Sequence, residues 1–176
     1  MIELILGGAR SGKSRLAEQR AGAADKQVVY IATAQARDPE MAQRIQHHQG
    51  RRSGNWLTLE EPVALAKILR QQDAAGRLLL VDCLTLWLSN LLSLEPGPQF
   101  DQQRTDLLET LPRLQADVIL VSNETGLGVV PTGELTRRFV DESGWLHQTL
   151  ASLAQRVTLV VAGLPMALKP SPGSNP

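Results

Sequence analysis

The sequence contains one cysteine, Cys83, in 176 residues. An intramolecular disulfide and a cysteine-rich metal cluster are therefore excluded. Aromatic residues are scarce, with Tyr30, Trp56, Trp87, Phe100, Phe139 and Trp145 the complete set, so few flat side chains are available for stacking. Neither charge sign is in excess, 18 basic residues facing 18 acidic ones. That balance argues against a nucleic-acid polyanion as the main partner. No apolar run approaches the length needed to cross a bilayer, and the N-terminus lacks the basic-then-apolar order of an export signal. With a first strand expected from residue 2, no leader is expected before the fold, and a cytoplasmic location without membrane insertion is the reading. Repeats and internal linkers are absent as well. The hydrophobic content of 43% and charged content of 20% belong to an ordinary globular chain, and the length suits one domain with a proper core.

One motif stands out. Gly7-Gly8-Ala9-Arg10-Ser11-Gly12-Lys13-Ser14 fits G-x-x-x-x-G-K-[ST], in which glycines let backbone N–H groups curl around a phosphate chain. In this reading Lys13 reaches the β and γ oxygens, and the Ser14 hydroxyl faces Mg²⁺. Ile2 to Leu6 reads as a short buried strand directly before the loop. Ser14 to Ala21 reads as a helix directly after it, whose N-terminus adds a positive dipole end. A nucleoside triphosphate is the expected ligand. Kinases, GTPases, motor ATPases and transporters share such loops, so the loop alone does not name the reaction.

Gln27 to Ala32 is continuously apolar after its first residue, as a buried parallel strand should be. It places Ala32, Thr33 and Ala34 at a strand's carboxyl end, where open α/β sheets bind ligands. Asp38-Pro39-Glu40 reads as a helix start, continuing through Met41, Arg44, Ile45, His47 and His48 and stopping at Gly50. His48 shares a face with Met41, Arg44 and Ile45, whereas His47 points about 100° away. Trp56 to Glu60 reads as a short strand and 61–72 as a helix. Leu78 to Val81 is an apolar strand ending in Asp82, which suits either a carboxylate holding Mg²⁺ or an acidic N-cap for the next helix. Thr85 to Leu92 reads as an apolar helix. A break at Glu95-Pro96-Gly97-Pro98 is followed by a polar helix to about Leu114. Asp117 to Ser122 forms the next strand, ending in Asn123 and Glu124, and the loop Thr125-Gly126-Leu127-Gly128 could reach the site. Residues 133–155 read as helical and Arg156 to Ala162 as the last strand. Five or six short strands alternating with helices predict an α/β chain of the P-loop NTPase (RecA-like) type, a three-layer sandwich with a mostly parallel central sheet. Residues 1–168 would be a single nucleotide-binding catalytic domain, and 169–176, rich in proline, serine and glycine, a flexible tail.

The segment Arg44-Ile45-Gln46-His47-His48-Gln49-Gly50-Arg51-Arg52 narrows the reaction. Taken with the phosphate loop, Tyr30-Ile31-Ala32-Thr33 and Asn123-Glu124-Thr125-Gly126-Leu127-Gly128-Val129-Val130-Pro131, it resembles the bifunctional adenosylcobinamide kinase / adenosylcobinamide-phosphate guanylyltransferase family of cobalamin synthesis. The resemblance runs from residue 2 to about residue 165. It implies a two-step enzyme. Adenosylcobinamide is phosphorylated on its aminopropanol hydroxyl with ATP or GTP, and GMP is then transferred from GTP onto that phosphate. It also implies a GMP–histidine intermediate, which maps onto His48, with Lys13 as the other catalytic group. Nucleotide contacts map onto Gly7 to Ser14, Ala32 to Ala34, Gln49, Gly50, Arg51, Arg52, Glu60 and Asp82. A homotrimer with sites near subunit boundaries is implied too. Ser14 and Asp82 are read as the Mg²⁺ holders. Glu124 is read as the group that orients or deprotonates the acceptor hydroxyl, although a glutamate there would equally order the glycine loop. His47 is read as a neighbour of His48 or a substrate contact, while His147 receives no role.

A histidine sharing a face with Met41 and Ile45 is also what a packed core histidine looks like. The rival readings are accordingly a plain phosphate-loop kinase with a structural histidine pair, and a RecA-type ATPase whose product is a conformational change. A GTPase switch is disfavoured because no Asn-Lys-x-Asp segment occurs.

Overall fold

The structure is a computed structural model that describes residues 1–34, 56–94 and 98–170. Seven strands form its sheet: β1 (Ile2–Gly7), β2 (Gln27–Ala32), β3 (Leu57–Glu60), β4 (Arg77–Asp82), β5 (Asp117–Asn123), β6 (Arg156–Val161) and β7 (Leu164–Lys169). They lie in the order β3-β2-β4-β5-β1-β6-β7, all parallel except for the antiparallel pair β6–β7. The helices are α1 (Lys13–Ala23), α2 (Leu65–Gln72), α3 (Leu84–Ser93), α4 (Pro98–Thr110) and α5 (Glu134–Leu153), with a 3₁₀ turn at Leu111–Arg113.

The central strands are apolar along nearly their whole length because helices cover both faces. Ile2, Leu4 and Leu6 of β1 join Leu79 and Val81 of β4 and Trp87, Leu107, Leu146 and Leu150 in a core under α2 to α5. Ile5, Tyr30, Leu80, Ile119 and Val121 point to the opposite face, where Ala17 and Ala21 of α1 bring that helix close to the sheet. Glu3 is a fully buried acid within β1. It is paired with Arg20 of α1 and lies 3.5 Å from Arg156 of β6, so the carboxylate is not left unpaired where water cannot reach it. Arg20 also donates to the Thr158 hydroxyl at 3.0 Å.

Beyond shifts of one or two residues at element ends, three features differ from the sequence reading. The helix expected from residue 61 begins at Leu65. Glu61 Oε1 accepts from the amides of Val63 and Ala64 at 3.0 and 2.7 Å, and the Val63 carbonyl is taken by the Trp87 indole, so the preceding turn is spent on capping and tertiary bonds. The helix expected to reach Leu114 gives way after Thr110 to the 3₁₀ turn, with Pro112 in it. Arg156–Val161 is not the last strand. A two-residue turn follows, with positive φ at both Ala162 (52°) and Gly163 (81°), as a type I′ hairpin requires. The chain then returns as β7, whose last residue, Lys169, donates to the carbonyls of Ala151 and Ser152. The helix expected from Asp38, the histidine pair and residues 171–176 lie outside the described residues.

Candidate nucleotide and phosphoryl-transfer site

The register gathers the carboxyl ends of β1, β2, β4 and β5 along one edge of the sheet. Gly7 stands opposite Asn123, and Ala32 stands between Glu60 and Asp82. A strand, β5, separates the loop-bearing β1 from β4 and its acid. The phosphate loop rises from this edge, and at its first residue close contacts leave no room for a side chain. A Cβ on Gly7 would sit 2.5 Å from Ser11 Oγ and 2.6 Å from the Val160 carbonyl. Gly12 adopts φ +99°, and Arg10 also has a positive φ, 55°. The Ser11 amide closes onto the Gly8 carbonyl at 3.2 Å, while the Ser11 carbonyl accepts from the Gly163 amide at 2.9 Å. The β6–β7 hairpin turn therefore buttresses the loop.

α1 begins at Lys13 with no side-chain cap and no acidic residue in its first turn. Its first amides and the positive end of its dipole are directed at the space beside the loop, the arrangement that binds phosphate. Lys13 is only 8% exposed, and its ammonium donates to the Gly8 carbonyl at 3.1 Å. Burial lowers its pKa, whereas the nearby Cys83 and Asp82 act the other way. Gly8, Ala9 and Arg10 are exposed and Ser14 half-buried on this side.

The ends of β2 and β4 are stitched together beside it. The buried Thr33 hydroxyl donates to the Cys83 carbonyl at 2.7 Å and accepts from the Cys83 amide at 2.9 Å. The Thr33 carbonyl accepts from Asn90 at 2.9 Å, and Asn90 also donates to the Pro62 carbonyl at 3.1 Å. Ala32 and Ala34 border Thr33, and the Ala32 carbonyl accepts from the Glu61 amide at 2.9 Å. Asp82 does not cap α3: the cap position is Cys83, with no side-chain hydrogen bond. Instead Asp82 Oδ2 accepts from the Tyr30 hydroxyl at 3.0 Å. Burial, and then Asp82, push the Cys83 thiol up to about 11, so it stays protonated at neutral pH and acts as a small apolar group. Glu60 is exposed at the end of β3.

Glu124 follows β5, and its amide donates to the Gly7 carbonyl at 3.0 Å. One carboxylate oxygen accepts from the Gly126 amide at 2.6 Å, so this glutamate does order the glycine loop. The other faces His147 Nδ1 at 3.8 Å. His147 Nε2 in turn lies 2.8 Å from the Ser122 hydroxyl. Tyr30, Asn90 and His147 are contributions the sequence reading missed. Tyr30 lies in the Tyr30-Ile31-Ala32-Thr33 segment but no role was read for its hydroxyl, and Asn90 carries no motif, whereas a lone histidine among Leu146 and Leu150 was a signal. The structure thus brings Lys13, Ser14, Asp82, Ala32 to Ala34 and Glu124 to one edge, with Glu60 at its β3 end. His47, His48, Gln49, Gly50, Arg51 and Arg52 lie outside the described residues.

Among the described residues no three acidic, histidine or cysteine side chains form a metal-holding group. Ser14 and Asp82 nevertheless fit Mg²⁺: both offer hard oxygen donors, and Mg²⁺ in nucleotide sites is completed by phosphate oxygens and water rather than by an all-protein cage.

The family described as cobinamide kinase / cobinamide phosphate guanyltransferase matches residues 3–168. The chain belongs to that family. It is an enzyme chain, and its class is the one the motifs implied. The chain is 62% identical to the bifunctional adenosylcobalamin biosynthesis protein CobP of Pseudomonas aeruginosa, the match covering 98% of this chain and 99% of that one. It is 40% identical to the CobU protein of the same description from Salmonella typhimurium, over 96% of this chain and 100% of that one. Among solved structures it resembles the RadB recombinase at a TM-score of 0.51 and 16% identity, covering 90% of this chain and 73% of that one. At that identity the likeness shows the fold alone, a P-loop NTPase with a mostly parallel sheet. Within the cobinamide kinase / guanyltransferase family, a phosphate loop faced by an acid one strand away is the part of the site that the described residues build.

Proposed function

We propose that this chain phosphorylates the aminopropanol hydroxyl of adenosylcobinamide with ATP or GTP, then transfers GMP from GTP to the resulting phosphate through a guanylylated His48. The observation that carries the reading is the 62% identity to a bifunctional relative over 98% of the chain. The shaped phosphate loop, with Asp82 on the same sheet edge, supports a nucleotide site for this chemistry.

In the kinase step the acceptor oxygen attacks the γ-phosphorus and the nucleoside diphosphate leaves, while Glu124 takes the hydroxyl proton. Lys13, already directed across the loop, neutralises charge on the β and γ oxygens. In the second step a neutral His48 imidazole attacks the α-phosphorus and pyrophosphate leaves. The cobinamide phosphate then attacks the same phosphorus and releases the imidazole. A neutral nucleophile avoids bringing two anions together in the first displacement, and covalent catalysis splits one hard step into two easier ones. Arg51 and Arg52 would neutralise the departing pyrophosphate, His47 would orient His48, and Gln49, Gly50, Ala32 to Ala34 and Glu60 would contact the nucleotide. Mg²⁺, held by Ser14 and Asp82, would polarise the phosphate oxygens and offset their charge.

We read the working assembly as a homotrimer, as the resemblance implies. Leu164, Met166 and Leu168 on β7 and Leu127, Val129 and Val130 in the glycine loop are exposed, Val129 by 96%. Such an apolar edge suits coverage by another subunit.

The test is incubation with α-labelled GTP and Mg²⁺, followed by denaturation. Acid-labile, alkali-stable label lost in His48→Ala and kept in His47→Ala is the expected result. Unlabelled protein with normal nucleotide binding would leave a plain kinase.

A further inference from the structure

His147 belongs to a buried polar chain that the proposed chemistry has not used. Its side chain, 7% exposed, reaches from α5 to the end of β5. Nε2 lies 2.8 Å from Ser122 Oγ, Ser122 Oγ lies 3.4 Å from Thr85 Oγ1, and Thr85 Oγ1 accepts the Asn123 amide at 2.7 Å. The Thr85 and Ser122 hydroxyls can each donate or accept, so the Ser122 hydrogen can face His147 Nε2. That order leaves Nε2 as the acceptor. The remaining imidazole hydrogen is then on Nδ1, the edge that faces Glu124 Oε2 at 3.8 Å. The reverse tautomer would aim a lone pair at a carboxylate.

We propose that His147 is a positioning residue for Glu124, its Nδ1–H edge and the Gly126 amide together fixing the carboxylate beside the phosphate loop for the kinase step. This rests on the reading of Glu124 as the group that takes the acceptor proton. One oxygen is held by Gly126 at 2.6 Å, the other faces the imidazole, and the Glu124 amide is bonded to the first residue of the phosphate loop at 3.0 Å. The carboxylate is thus bonded at one oxygen and anchored through its backbone, with the imidazole edge 3.8 Å from its other oxygen. Burial keeps His147 neutral, and Glu124 is the charged group opposing that effect. Neutrality suits a positioning role. In the kinase step the acceptor proton passes to Glu124 as the new P–O bond forms, the electron pair of the broken bond leaves with the nucleoside diphosphate, and Glu124 later returns its proton to water. His147 neither gains nor loses a proton. A guanylyl transfer whose acceptor is already a phosphate has no hydroxyl proton to remove, so it does not need this pair.

The two steps separate the proposal from a merely structural role. Full-length His147→Asn, which retains a donor near the Nδ1 position, is compared with His147→Gln, whose amide falls near Nε2. The kinase step is read with γ-labelled ATP and adenosylcobinamide, and the transfer step with α-labelled GTP and pre-phosphorylated acceptor. His147→Gln should lower the kinase kcat about tenfold to a hundredfold, part of the 10²–10⁴ that a general base supplies. The KM for ATP and the transfer step should stay within about twofold, and His147→Asn should recover most of the loss. In a Glu124→Gln background, His147→Gln should add nothing further. Equal kinase rates for the Asn and Gln variants, a parallel fall in both steps, or an additive loss in the Glu124→Gln background would overturn the proposal. Absence of both activities from the unsubstituted protein would instead overturn the functional reading beneath it.

Discussion

The Tyr30 hydroxyl donates to Asp82 Oδ2 across 3.0 Å, joining the acid at the end of β4 to the neighbouring strand β2. The phenol bonds one carboxylate oxygen, Oδ2, at the carboxyl end of β4. Tyr30→Phe keeps the buried ring and removes the hydroxyl that donates to Asp82. The Mg²⁺ concentration for half-maximal turnover should rise about tenfold, as when an outer partner of a metal-holding group is lost. Titration of activity with Mg²⁺ checks it, and an unchanged requirement would argue against Asp82 as a metal holder.

Two adjacent glycines should behave oppositely. Gly7→Ala puts a Cβ 2.6 Å from a backbone carbonyl, whereas Gly8→Ala meets nothing within 4 Å. Overpacking of this kind costs about 1–3 kcal/mol, which in a chain of this size lowers Tm by roughly 2–12 °C. Gly7→Ala should show that fall together with weakened nucleotide binding. Gly8→Ala should leave Tm unchanged. Calorimetry of both variants decides the matter.

Asn90 holds the carbonyls of Thr33 and Pro62 from inside the core. Asn90→Leu keeps the branching of the side chain but strands both acceptors, at about 1–3 kcal/mol for each buried group left unsatisfied. Urea denaturation should show a loss of that order. A stability equal to that of the unsubstituted protein would mean that water or a shifted side chain replaces both bonds.

The folded-state pKa of His147 is lowered, mainly by burial. The unfolded chain therefore binds more protons than the native one between the two pKa values. The stabilising contribution is complete above the unfolded value, about 6.5, and is lost as pH falls through that value toward the folded one. The urea midpoint should drop on moving from pH 7.5 to pH 5, and drop less in His147→Gln. Identical pH dependence in the two proteins would exclude His147 as its source.

The parallel strands were legible because burial on both faces demands continuous apolar runs, and the runs at 2–6, 27–32, 78–82 and 117–122 admit little else. The phosphate loop was legible because its glycines answer local backbone demands, as the approach of Gly7 to Val160 and the φ of Gly12 bear out. β7 was not. Leu164–Lys169 is exposed along its whole length and contains Pro165, so neither burial periodicity nor propensity marks it. It is a strand because the Ala162-Gly163 turn folds it back onto β6, where an edge position tolerates the proline.

By itself the sequence determined the family, the order of the central strands with the helices between them, and the phosphate-loop pattern, since all of these reside in short-range patterns. Tertiary structure alone decided which side chains support them. Tyr30 and Asp82 are 52 residues apart, Thr33 and Asn90 57, and Ser122 and His147 25. Their hydrogen bonds exist only because the strand order and the packing of α3 and α5 bring those atoms together, and no local pattern of residue types encodes that meeting.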